Sequence, residues 1–168
     1  MAAQSPRGET EAFARDPRPF AALSNTALSM RDSIVVIARS QIGTRYRYGG
    51  TTPAGGFDCS GFVRYVLNAI QLMLPRTAAQ QAQYGATIPK DTTRLRAGDL
   101  LTFGRGNRVT HIGIYVGNGR YVHASPTAGR VIETSLERTE SPLVKIWRGG
   151  RRLLAERDWL SDTTVAAP

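Results

Sequence analysis

Apolar residues recur at helical spacing in the first half of the chain and give way to short strand-like runs in the second. In SMRDSIVVIARSQIG, Met30, Ile34, Ile37, Ala38 and Ile42 share one face. Ser29 and Asp32 stand in a capping-box arrangement ahead of them and Gly43 follows as a stop, so a first helix is predicted from Ser29. After the Gly-rich stretch YGGTTPAGGF, the residues Phe62, Val63, Val66 and Ile70 predict a second helix that starts at Asp58 or Cys59, with Asp58 as N-cap. A third, short helix is expected in TAAQQAQYG between the cap Thr77 and the terminator Gly85.

Beyond Gly98 the runs LLTF, VTHIGIYV, RYVHA, VIET and LVKIW, separated by turn residues, predict five strands. Helices grouped ahead of a strand meander imply an α+β fold, with the helices packed on one side of an antiparallel sheet. Residues 1–28 hold scattered prolines and charges without periodicity and read as a flexible tail or linker. The expected domain is therefore 29–152, and 153–168 form a C-terminal tail whose RLLAERDWL pattern allows a short helix.

Composition adds constraints on partners. The net charge of +9 comes from 22 Lys+Arg against 13 Asp+Glu. This favours an anionic partner without naming one, since nucleic acid, lipid and acidic wall polymer all answer a positive field. Basic residues are not interleaved with stacking aromatics, so no nucleic-acid role is expected. The run Ile34 to Ala38 is too short to span a bilayer and too deep to form a signal peptide, so no stable membrane insertion is expected. An envelope location would require a signal removed before this sequence begins.

The candidate chemistry lies in one cysteine and two histidines, the only ones in the chain. Cys59 falls in the first turn of the second helix, and a thiol becomes nucleophilic as thiolate. The helix N-terminus and a nearby imidazole are both expected to lower its pKa. Its own backbone N–H, free in that first turn, is a candidate oxyanion donor, and Gly61 is expected to leave room for a substrate backbone. His111 lies in HIGIYV and His123 in RYVHA. A two-residue Asn118-Gly119 turn places these imidazoles on opposite faces of the sheet. A three-residue loop, Gly117-Asn118-Gly119, pairs Val116 with Arg120 and Gly113 with His123, and brings both to one face. The catalytic reading needs the second register: His111 as base, His123 orienting it. A mononuclear metal site from the same three residues is the competing reading, although no ExxH or HxxxH spacing supports it.

The motifs RYRYGGTTPAGGFDCSGFVRYV, LPRTAAQQ, LRAGDLLTF and THIGIYVGNGRYVHAS, in that order, resemble the NlpC-type family of papain-like cell-wall cysteine peptidases over roughly residues 30 to 150. The resemblance implies a papain-like fold, no cofactor and no catalytic metal. It assigns the nucleophile to Cys59, the base to His111 and the orienting group to His123, and adds Tyr46 as a hydroxyl donor near the nucleophile. It also points to Asp58, Ser60 and Arg76 as contacts for a peptidoglycan stem peptide. Thr77 stands where some relatives carry an acidic residue that holds a free peptide amine, which favours polymeric wall as substrate. The implied reaction is hydrolysis of a D-glutamyl-diaminopimelate bond or a diaminopimelate cross-link through a thioester, in the cell envelope. An acyltransferase or amidase of the same fold, or an inactive wall-binding module, are the alternatives.

Overall fold

The computed structural model describes the backbone over residues 19–154 and the side chains over 30–154. The elements run α1 (Pro19–Ser40), β1 (Thr51–Thr52), β2 (Gly56–Phe57), α2 (Cys59–Asn68), α3 (Ala78–Gln81), β3 (Ala86–Ile88), a 3-10 turn (Thr92–Arg94), β4 (Leu100–Phe103), β5 (His111–Gly117), β6 (Arg120–Ser125), β7 (Arg130–Ser135), α4 (Pro142–Lys145) and β8 (Trp147–Arg152). Strands β3 and β8 join four of the strands read from the sequence in a six-stranded antiparallel sheet of order β3-β8-β4-β5-β6-β7. The small β1-β2 pair sits in the loop ahead of α2.

Each face of the sheet carries its own apolar layer, which follows from the two-residue alternation of side chains along a strand. Leu100, Ile112, Ile114, Val122 and Val131 pack with Ile34 and Ala38 of α1 and with Phe62, Val63 and Val66 of α2. The opposite face gathers Leu101, Phe103, Tyr115, Tyr121 and Trp147. Strand β5 is buried from His111 to Val116, so it lies at the centre of both layers. A buried carboxylate ties the ends together. Asp99 is 1% exposed, accepts from Arg152 at 2.8 and 3.0 Å, and faces Arg31 of α1 at 3.6 Å.

Three sequence expectations are corrected. Helix α1 starts at Pro19, so residues 19–28 belong to it rather than to a linker, and Ser29 is internal rather than a cap. Residues 1–18 of the expected tail lie outside the described residues, as do 155–168 and most of the expected C-terminal helix. Second, the run LVKIW is not one strand: Leu143 to Lys145 form the end of α4, and the strand begins at Trp147. The polar WRGGRR is β8, paired between β3 and β4, and its central glycines permit this close approach: a Cβ on Gly150 would stand 2.3 Å from the Leu100 carbonyl oxygen. Third, β3 was missed because its three residues are mostly exposed and show no periodicity. Among the described residues no helix is long and apolar enough to cross a membrane.

Asp99→Asn removes the carboxylate that Arg31 and Arg152 share. It is expected to lower stability by about 3 kcal/mol, read from urea denaturation midpoints.

Candidate active site

The nucleophile candidate is placed by the start of α2. Asp58 caps the helix, its Oδ1 accepting from the Gly61 N–H at 2.7 Å, while its own N–H donates to the Gly50 carbonyl at 3.1 Å. Gly61 is required here for a reason other than substrate access. A Cβ at this position would lie 2.1 Å from the Gly50 carbonyl oxygen, so the loop itself occupies the space expected to be open. Gln81 of α3 is fully buried, and its Nε2 donates to the Ser60 and Pro75 carbonyls at 3.0 and 2.9 Å. This clamp on the first turn of α2 was not read from the sequence; a glutamine in a short, half-apolar helix was its only signal.

The Cys59 thiol reaches the sheet close to the backbone N–H of Ile112, which favours its thiolate form. That amide faces β6, yet the β5–β6 ladder extends only to Ile114↔Val122 at this end, so the amide is left for the thiol. This contact too was absent from the sequence reading, since a backbone donor leaves no trace in side-chain patterns.

His111 precedes that amide, and its Nε2 lies 2.7 Å from Nδ1 of His123, with the rings nearly perpendicular. Both are buried among Phe103 and Tyr121. The one-face arrangement is reached by a different device from the one expected. The hairpin tip is a two-residue Asn118-Gly119 turn closed by Gly117↔Arg120, and both turn residues have positive φ, 53° and 72°. A bulge between Tyr115 and Gly117 then shifts the register by one. Below it Tyr115 pairs with Tyr121 and Ile114 with Val122, which sets Gly113 opposite His123. A Cβ on Gly113 would stand 3.2 Å from the His123 Cβ, so this glycine makes space for the imidazole pair.

Tyr46 stands on the loop ahead of α2, its N–H donating to Gly129 at 2.8 Å and its ring packed on the core. Burial, then the nearby Cys59 and Asp58, push its phenol above the ordinary value, so it stays a donor. Asp58, Ser60 and Arg76, expected as separate substrate contacts, are bonded to one another. Arg76 donates to the two Asp58 oxygens at 3.0 and 2.6 Å and to Ser60 Oγ at 2.9 Å. Thr77 forms a capping box with Gln80.

The electrostatics correct the expected thiol pKa. Burial pushes Cys59 above its ordinary value and the Asp58 charge adds to this, while the amides of Ile112, Ser60 and Cys59 itself pull the other way. Burial pulls His111 down to about 4, and burial together with His111 pulls His123 down to about 3. The thiol and the two imidazoles are therefore all neutral at rest. A neutral thiol and a neutral imidazole in contact can exchange one proton when a carbonyl is attacked. No group of three His, Cys, Asp or Glu placed to hold a metal ion occurs among the described residues.

Residues 43–148 match the NlpC/P60 family. The chain is 44% identical over 130 residues to the probable endopeptidase NlpC of Escherichia coli strain K12, an alignment covering 72% of this chain and 77% of the relative. It is 43% identical over 96 residues to the murein DD-endopeptidase MepS/murein LD-carboxypeptidase of the same strain, covering 56% of this chain and 50% of that protein. Among curated relatives, MepH and MepS are matched over only 44% and 50% of their lengths, so the chain spans about half of each. Among solved structures, the NlpC/p60 domain of the peptidoglycan hydrolase SagA superposes with a TM-score of 0.59 at 35% identity, covering 64% of this chain and 90% of that one. The peptidoglycan hydrolase RipB from Mycobacterium tuberculosis gives 0.65 at 26%, covering 81% and 72%.

Two outcomes follow from the histidine pair. An unfolded imidazole takes a proton near pH 6.5, whereas these two resist it until about pH 4 and 3, so the unfolded chain binds more protons in between. Stability from neutral burial is thus full above pH 6.5 and lost as pH falls toward 4, by about 2 kcal/mol per histidine at pH 5. Urea midpoints at pH 7.5 and 5 should separate accordingly, and less so in the His111→Gln/His123→Gln variant. Gly113→Ala is expected to cost about 1 to 3 kcal/mol by crowding His123, measured by thermal melting.

Proposed function

Because the chain belongs to the NlpC/P60 family, we propose that it is a cysteine endopeptidase that hydrolyses amide bonds in peptidoglycan stem peptides. The bond is D-glutamyl-diaminopimelate or a diaminopimelate cross-link, and the place of action is the cell envelope. The observation that carries this reading is the 2.7 Å contact between His111 and His123 beside the amide that receives the Cys59 thiol.

The reaction then runs on neutral groups. His111 Nε2–H donates to Nδ1 of His123, which leaves the Nδ1 lone pair of His111 for the thiol proton. Sulfur attacks the amide carbon as that proton moves, and the developing oxyanion takes hydrogen bonds from the Cys59 N–H and the Tyr46 hydroxyl. The imidazolium gives its proton to the leaving amine, and the C–N bond breaks to leave a thioester. Water, deprotonated by His111, attacks the thioester, and the thiol recovers its proton. His123 stays neutral throughout, because its low pKa makes it an acceptor for His111 and a poor competitor for the proton.

Asp58, Arg76 and Ser60 serve this scheme first as one bonded unit that fixes the helix start. Their remaining lone pairs and N–H groups are available to the stem peptide.

Digestion of purified peptidoglycan tests the proposal. New muropeptides are expected by mass spectrometry from the unsubstituted chain, and Cys59→Ala should reduce their rate by at least about a thousandfold. Absence of new products would overturn the hydrolytic reading, and equal products from both proteins would remove Cys59 from it.

A further inference from the structure

A groove of about 470 Å³ runs over β4 and β8, between α3 and the loop that precedes β5. It opens beside the proposed nucleophile. Thr102 lines it and pairs across the ladder with Ile112, roughly 5 Å away, and Ile112 supplies the amide on the thiol. Val109, also in the lining, precedes His111 by two positions. Tyr46 lies on the other side of β5, against the turn before β7. The groove therefore lies on the side of β5 away from Tyr46.

Its charge is one-sided. Arg108, Arg148 and Arg151 line it, and no carboxylate does. None of the three joins an ion pair among the described residues; Arg151 reaches only as far as the Gly85 carbonyl, at 3.4 Å. Three nearby carboxylates are paired with other arginines: Asp58 with Arg76, Asp99 with Arg152, Glu133 with Arg39 and Arg120. Three guanidiniums with no ion pair among the described residues, in a concave site, favour an anionic occupant, and their planar forks suit carboxylates in particular.

We infer that this groove binds the carboxylates of the substrate peptide on the side of the scissile bond away from Tyr46, with Arg108, Arg148 and Arg151 as specificity-determining residues. The inference rests on the endopeptidase reading and deepens it. The groove adjoins the strand pair that carries Ile112, which fits groups carried by the substrate itself rather than a separate anionic polymer.

The test measures binding in the full chain carrying Cys59→Ala, so that it does not depend on turnover. A synthetic stem tetrapeptide with free carboxylates and its fully amidated form are titrated by calorimetry. The free form is expected to bind at least tenfold more tightly, and adding Arg108→Gln, Arg148→Gln and Arg151→Gln should bring the two affinities together, with thermal melts verifying that the variants fold. Equal affinity for the two peptides, a preference that survives the three substitutions, or tighter binding of polyglycerol phosphate than of the free peptide would overturn the inference. Hydrolysis of the same peptide by the unsubstituted chain is scored separately, so failure of the groove and failure of the endopeptidase reading give different results.

Discussion

One carboxylate sets the position of nearly everything at the candidate site. Asp58 caps α2 at Gly61, receives the Gly49 N–H at 3.2 Å, and holds Arg76 with both oxygens. It thereby joins the loop ahead of α2, the first turn of that helix and the segment leading into α3. A charged acceptor with donors from three segments tolerates little displacement, because each shift lengthens several charge-assisted bonds together. The thiol inherits its place from this arrangement: Cys59 is the next residue, and the close approach of Gly61 to Gly50 removes the remaining freedom.

The sheet supplies the opposing half by a different kind of constraint. Helix and strand meet where the β5–β6 ladder stops, so a main-chain donor reaches the sulfur while the neighbouring residue contributes the imidazole. Burial keeps both histidines and the thiol uncharged, and the same burial makes an ion pair among them costly until a substrate supplies new charge. Proton transfer and bond formation are therefore coupled in the proposed mechanism. A thiol held protonated also reacts slowly with peroxides and disulfides, which are attacked by the thiolate.

Local signals carried most of what could be read without coordinates. The apolar face of α2, the Asp58 cap and the Thr77 cap depend on residues a few positions apart, and the structure has them as the pattern implied. The pairing of His111 with His123 was legible as a parity condition, because side-chain direction along a strand is fixed by counting. What escaped depends on contacts between distant segments. The early start of α1, the glycine-centred β8 and the Ile112 amide at the thiol have no local signature. The thiol pKa was misjudged for the same reason: position on a helix is visible in a sequence, and depth of burial is not.

The hairpin between β5 and β6 joins a two-residue turn to a bulge, and the sum of the two decides which face His123 occupies. Loop tips are ordinarily the places where lineages gain and lose residues at little cost. Here an insertion or deletion that the bulge does not absorb would preserve an antiparallel hairpin yet move one imidazole to the far side of the sheet. Turn length and bulge must therefore change together, so a surface turn would evolve under the same restraint as the candidate reacting groups.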